Sequence, residues 1–161
     1  MTGDLSLPDE AATLRLGAAC AAAAANGYSL HLRGELGAGK TTLVRGLLRA
    51  LGHRGRVKSP SYTLVEPYGD LRLNCYHFDF YRFKDRTEWL NSGFREYFNA
   101  DSLCIVEWPE RAGDLIAPPD LEIHLHYQSE AGREIRRAAP SARSPAGAAW
   151  LASVLSHWRP A

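Results

Sequence analysis

The spacing of apolar residues divides the chain into helices and strands before any chemistry is considered. From Pro8 to Ala25 the pattern predicts an amphipathic helix, with Asp9 and Glu10 in its first turn, Leu14 and Ala18 facing inward and Asn26-Gly27 ending it. Tyr28 to Leu32 alternates as a short strand. Between Thr42 and Leu51, the side chains of Leu43, Leu47, Leu48 and Leu51 fall on one helical face, and Gly52 stands where a C-terminal cap belongs. Gly46 interrupts this helix at a cost of about 1 kcal/mol relative to Ala, which close packing would explain. Leu64 to Tyr68 and Leu71 to Phe80 are extended runs joined at Gly69-Asp70, the form of an antiparallel hairpin.

Farther along, Asp85 as N-cap and Glu88 as its capping-box partner open a helix over Arg86 to Phe98, whose Trp89, Leu90, Phe94, Tyr97 and Phe98 suit a core. Leu103 to Glu107 is an apolar strand ending in a carboxylate. Leu121 to Tyr127 alternates and pairs with Arg133 to Ala138 across a turn at Ala131-Gly132. Ala139 to Pro145 reads as a loop, and Ala146 to Trp158 as a closing helix with Trp150, Leu151, Val154 and Leu155 inside.

Composition narrows the class without naming a chemistry. A chain of 161 residues, 45% hydrophobic and 23% charged, reads as one domain spanning 1–161, with no internal repeat and no long linker. Nineteen basic residues against eighteen acidic ones leave a net charge of +1, so any contact with nucleic acid must come from a local patch. Arg45, Arg49, His53, Arg54, Arg56 and Lys58 are the candidates, and such basic runs are more often solvated surface. No apolar run approaches the ~20 residues that span a bilayer. The Ala18–Ala25 stretch is short and follows an acidic start, unlike a signal peptide. Cys20, Cys75 and Cys104 lack metal-site spacing and read as reduced, buried thiols of a cytoplasmic protein. His124 and His126 share a strand face but have no third ligand in sight.

One stretch does carry chemistry. Gly34-Glu35-Leu36-Gly37-Ala38-Gly39-Lys40-Thr41 fits the phosphate-binding pattern G-x-x-x-x-G-K-[ST], and it lies where that pattern must lie, after a strand and before a helix. Its glycines permit positive φ, so successive backbone N–H groups can converge on phosphate oxygens, aided by the helix dipole. Lys40 would then reach the β- and γ-phosphates and the Thr41 hydroxyl would ligate Mg²⁺. Ser59-Pro60-Ser61-Tyr62-Thr63 lies in the region that senses the γ-phosphate in many phosphate-loop proteins. Asp79 leaves its strand where a water-orienting carboxylate would serve, and Glu107 has the form of a Walker B residue with Glu in place of Asp.

With G-E-L-G-A-G-K-T-T at 34–42, R-G at 45–46, V-K-S-P-S-Y-T-L-V at 57–65, H-F-D-F-Y-R at 77–82 and V-E-W-P at 106–109, the chain resembles the TsaE (YjeE) family of bacterial P-loop ATPases. The resemblance implies an α/β fold with a mainly parallel central sheet and antiparallel additions. It also implies ATP and Mg²⁺ as cofactors, slow hydrolysis, and a part in making the threonylcarbamoyladenosine of tRNA together with the partner proteins TsaB and TsaD. By the same resemblance Gly37, Ala38, Gly39, Lys40, Thr41 and Thr42 hold phosphate, and Thr41 and Glu107 stand at the metal. Asp79 lies near the γ-phosphate with Trp108 close by, and Thr13 and Arg133 lie near the adenosine. Ser59, Ser61, Tyr62, Thr63 and Arg82 become candidate switch or partner residues. The chain departs from the family at Ser61, where threonine is usual, and at Trp89 and Asn91.

Two other readings use the same loop. In one, ATP binding orders the 57–82 segment and docks a partner complex, hydrolysis only resetting the switch. In the other, the protein is a small-metabolite kinase, which the lack of an Arg-rich lid disfavours; the lack of N-K-x-D disfavours a GTPase.

Overall fold

A computed structural model describes residues 3–69 and 71–158. Seven strands are found among them: β1 (Leu5–Leu7), β2 (Ser29–Arg33), β3 (Val65–Tyr68), β4 (Cys75–Asp79), β5 (Leu103–Glu107), β6 (Leu121–Glu130) and β7 (Arg133–Ala142). The helices are α1 (Glu10–Ala21), α2 (Lys40–Ala50), α3 (Arg86–Ser92) and α4 (Pro145–His157). The strands form one sheet in the order β1-β7-β6-β2-β5-β4-β3. Its centre, β4, β5, β2 and β6, is parallel, while β3, β7 and β1 join antiparallel. The mixed sheet agrees with the expected fold class.

Successive side chains of a strand point to opposite faces, so the central strands feed two separate cores. On one face Leu103 and Ile105 of β5 join Leu30 and Leu32 of β2, and Leu43, Leu47, Leu16 and Trp150 of the helices, in the larger core. On the other face Cys104 and Val106 join Phe78, Phe80 and Trp89 in the smaller one. All five residues of β5 are buried, which is why that strand reads as an unbroken apolar run.

Two glycines fix how the helices over the larger core pack. A Cβ on Gly46 would stand 2.2 Å from the Leu14 carbonyl oxygen, and one on Gly17 would stand 2.1 Å from that of Leu43. The backbones of α1 and α2 therefore touch, which accounts for the glycine inside α2. The ends marked by Asp85 and Gly52 follow their sequence signals, whereas α1 starts at Glu10, two residues later than expected, with Asp9 as its cap rather than in its first turn. Asp9 caps α1 by accepting from the Ala12 N–H at 2.8 Å, Asp85 caps α3, and Gly52 follows α2 at φ 112°.

Several boundaries differ from expectation. α1 ends at Ala21, and its buried residues include Thr13, Leu16, Gly17 and Cys20, whereas Ala18 is exposed and Leu14 only half-buried. In so alanine-rich a helix nearly every face is apolar enough, so the pattern cannot select one. The expected helix over 86–98 stops at Ser92, because Gly93 turns left-handed at φ 76°, and a 3₁₀ turn follows over Phe94–Tyr97. Phe94, Tyr97 and Phe98 still pack on the smaller core, but Leu90 is 66% exposed. The second hairpin arm is confined to Cys75–Asp79, and Asp70 of its connection lies outside the described residues.

At the other edge, β7 runs on to Ala142 through residues expected to be a loop. Pro140 is accommodated because β1 pairs only with Arg136–Ala138, leaving the outer side of β7 open beyond Ala138. β1 itself, three residues long, is too short to show a period.

Candidate functional site at the phosphate loop

The C-terminal ends of β2, β5 and β4 lie side by side, with Leu32 opposite Glu107 and Asp79 opposite Glu107 in the parallel ladders. Ligands of open α/β sheets bind at such strand ends. Here the loop leaving β2 carries Gly34, Gly37 and Gly39 at φ 150°, 78° and 106°, and α2 starts at Lys40. Only glycine takes these conformations without strain. At Gly34 a side chain would also collide with the Leu125 carbonyl oxygen, 2.5 Å from its Cβ.

A cavity of about 350 Å³ opens beside the loop, lined by Gly37, Gly39, Lys40, Thr41 and Thr42, by Ser59 and Ser61, by Asp79, Tyr81 and Arg82, and by Glu107 and Trp108. Lys40 is buried, and its Nζ donates to the carbonyl oxygens of Gly34 at 2.5 Å and Glu35 at 2.8 Å. It also stands 4.4 Å from the centre of the Trp108 ring. Burial pulls its amine below the ordinary lysine range, and Glu107 and Asp79 oppose that. Trp108 is held left-handed at φ 57°, a conformation that costs a bulky residue of order 1–3 kcal/mol and is met chiefly at functional sites.

The carboxylates are held from several directions. Thr41 Oγ1 donates to Glu107, 3.1 Å from Oε1 and 3.0 Å from Oε2, while the wholly buried His77 places Nε2 2.6 Å from Oε2. Asp79 accepts from the Ser59 hydroxyl and from the Tyr81 N–H, the latter at 2.9 Å. Burial, reinforced by the negative Glu107, raises the Asp79 carboxyl above its ordinary value, against the pull of those two donors.

No group of three His, Cys, Asp or Glu side chains able to hold a metal occurs among the described residues. Mg²⁺ usually takes one or two carboxylates and completes its shell with water and phosphate. The hydroxyl of Thr41 beside the carboxylate of Glu107 is a hard-oxygen donor set of that kind.

The remaining candidates divide. Thr13 is buried, with its hydroxyl unpartnered, and lines a recess of about 110 Å³ together with Glu10, Gly37, Gly39, Thr42 and Arg136. Ala38 is fully buried under the loop. Arg82 stacks on Tyr62, 4.4 Å from its ring centre, and Tyr62 is 83% exposed. Thr63 is exposed and turns its hydroxyl to the Val65 carbonyl. Arg133 opens β7 at the exposed tip of the hairpin, opposite Glu130, and lines neither cavity. Arg136, three residues further along β7 and on its opposite face, is the arginine that reaches the loop, donating to the Gly37 carbonyl.

The sequence assigns His77 no role although it heads the H-F-D-F-Y-R stretch, and it singles out neither Tyr127 nor Arg136. Alternation could have found the first, because His77 lies two residues before Asp79 and so on the same strand face. The other two come from a hairpin about ninety residues away in sequence, beyond the reach of any local pattern.

A parallel-centred sheet with a glycine loop between its first central strand and α2, and carboxylates on the neighbouring strand ends, defines a P-loop NTPase-like fold. The family model described as "Threonylcarbamoyl adenosine biosynthesis protein TsaE" matches residues 7–135. The chain belongs to the TsaE family, whose role is in tRNA threonylcarbamoyladenosine biosynthesis. It is 42% identical over 130 residues to the Haemophilus influenzae protein of that name, covering 78% of this chain and 82% of the relative. The Bacillus subtilis relative is 39% identical over 115 residues, covering 71% and 72%. The crystal structure of Bacillus subtilis YdiB superposes with a TM-score of 0.73 at 26% identity, covering 98% of this chain and 97% of that one. No helix among the described residues is long and apolar enough to cross a membrane.

Proposed function

We propose that the protein binds ATP with Mg²⁺ at the Gly34–Thr41 loop and hydrolyses it slowly, in support of tRNA threonylcarbamoyladenosine formation by TsaB and TsaD. The observation that carries this reading is the convergence of Lys40, Thr41, Glu107 and Asp79 on one cavity from α2, β5 and β4. Phosphoryl transfer asks mainly for positioning and charge neutralisation, and these groups suit both demands. The loop N–H groups cradle the phosphates, and the Lys40 amine exchanges two carbonyls for phosphate oxygens. Thr41 and Glu107 hold the metal, which when bound neutralises charge on the phosphate oxygens. Asp79, with its raised carboxyl, orients the attacking water or accepts its proton.

ATP hydrolysis measured on the purified chain, alone and with TsaB and TsaD, tests this reading. Slow turnover, stimulated by the partners and lost in Lys40→Ala, is expected. Wild-type turnover in that variant would overturn the assignment.

The Ser59 hydroxyl on Asp79 favours a second role within the same cycle. It ties the Ser59–Ser61 loop to the Asp79 carboxylate at the end of β4, so nucleotide occupancy of the cavity is transmitted to a surface carrying Tyr62 and Arg82. Partner binding supported by a non-hydrolysable ATP analogue is expected; a strict need for hydrolysis would remove the switch role.

A further inference from the structure

We propose that Tyr127 and Arg136 are positioning residues that hold the phosphate loop in its anion-binding shape from outside the cavity. The inference rests on reading the loop as a phosphate site. A loop that turns its N–H groups inward must turn carbonyls outward, where they need donors. Tyr127 Oη donates to the Leu36 carbonyl at 3.3 Å. Arg136 donates to the next carbonyl, that of Gly37, from Nε at 3.2 Å and from Nη2 at 3.0 Å.

The two donors form one unit. Tyr127 and Arg136 are directly opposite in the β6–β7 ladder, and the guanidinium carbon lies 4.9 Å from the centre of the tyrosine ring. A cross-strand pair stacked in this way is oriented before any ligand arrives. Gly37 is shaped to receive it, since a Cβ there would stand 2.7 Å from the Tyr127 hydroxyl. The conformational freedom of Gly37 and the close approach of the tyrosine thus require the same residue.

The inner half of the loop is secured differently, by the Lys40 amine on Gly34 and Glu35. An anion in the cavity competes for that amine. The hairpin donors do not face this competition, so they keep the far half of the loop in shape while Lys40 changes partners.

Calorimetric titration of the full chain tests the proposal, using ATP with Mg²⁺ and, separately, inorganic tripolyphosphate with Mg²⁺. Tyr127→Phe removes one donor with no change of charge, and Arg136→Lys keeps the charge while losing the two-pronged contact. Each is expected to weaken both ligands by about 3- to 10-fold, the scale of one hydrogen bond. The double variant should lose less than the product of the single losses, because the residues act through one another. Four results would overturn the proposal: wild-type binding in both single variants, wild-type binding in Arg136→Lys alone, wild-type binding in Tyr127→Phe alone, or weakened ATP binding with tripolyphosphate unaffected. The last would instead make Arg136 a nucleoside contact in the recess it shares with Thr13. Lys40→Ala is the control: if it binds both anions as wild type does, the phosphate-site reading fails rather than the role of the pair.

Discussion

A cavity larger than the one at the phosphate loop opens elsewhere on this molecule, and it is not the one with the chemistry. A cavity of about 800 Å³ lies against the smaller core, lined by Trp89, Leu90, Phe98, Ile116, His31, Arg33, Glu110 and Glu122 among others. Arg33 is already paired there, donating to Glu122 at 3.0 Å and lying 3.8 Å from Glu110. Burial pushes the His31 imidazole down to about 4, so it is neutral at pH 7. The loop cavity is less than half that size, yet a lysine, two carboxylates and two serine hydroxyls converge in it. What sets it apart is that buried ionisable groups of both signs gather in one cavity, and volume alone says nothing of that.

The sharpest way to break this comparison is Lys40→Ala. Losing the cation that faces the phosphates should weaken ATP binding or turnover by about 10³-fold, some 4 kcal/mol, while thermal stability changes little. Isothermal titration and a phosphate-release assay read the two effects. Next, Asp79→Ala should leave ATP binding within a few-fold and lower turnover by about 10²-fold, the scale of a positioned acid–base group. Equal loss of both would make Asp79 structural.

The larger cavity should respond to acid instead. The folded chain keeps His31 neutral down to about pH 4, whereas the unfolded chain protonates it below the ordinary value of 6.5. Its contribution is therefore complete above pH 6.5 and is lost as pH falls toward 4, about 2 kcal/mol between pH 7 and pH 5. Denaturant titrations at the two pH values should show this loss, and His31→Gln should flatten it without altering ATP affinity. Smallest of all, Leu90→Ser at the rim of the larger cavity should shift stability by no more than about 0.5 kcal/mol, as exposed positions do, and leave ATP affinity unchanged. A marked fall in ATP affinity there would show that the two cavities are coupled.

The three cysteines behave as their spacing suggested. All are buried and free, and burial pushes each thiol up to about 12, which leaves them unreactive. The basic cluster is less uniform than a solvated face. Arg45 bonds the Val57 carbonyl at 3.2 Å and His53 packs edge-on against Tyr68, while Arg54, Arg56 and Lys58 are exposed.

Local order was legible wherever a residue's role depends on its immediate neighbours. The loop's glycines, the helix after them (expected from Thr42, found from Lys40), the leucine face of α2 and the apolar run ending in Glu107 all follow from short-range sterics and periodicity. So did the N-cap at Asp85, since a cap is closed within a few residues. What the chain order could not supply was anything settled between distant segments. The inward face of α1 was decided by Gly17 meeting the backbone of α2, the extension of β7 by pairing with β6, and the grip on the loop by Tyr127 and Arg136. The sequence by itself determined which backbone can wrap a phosphate, because that depends on φ angles and spacing within eight residues. Asp79 and Glu107 could be named in advance, but only the tertiary structure decided that His77 and Arg136 join them around it, because that approach is set by strand register and hairpin packing across the whole chain.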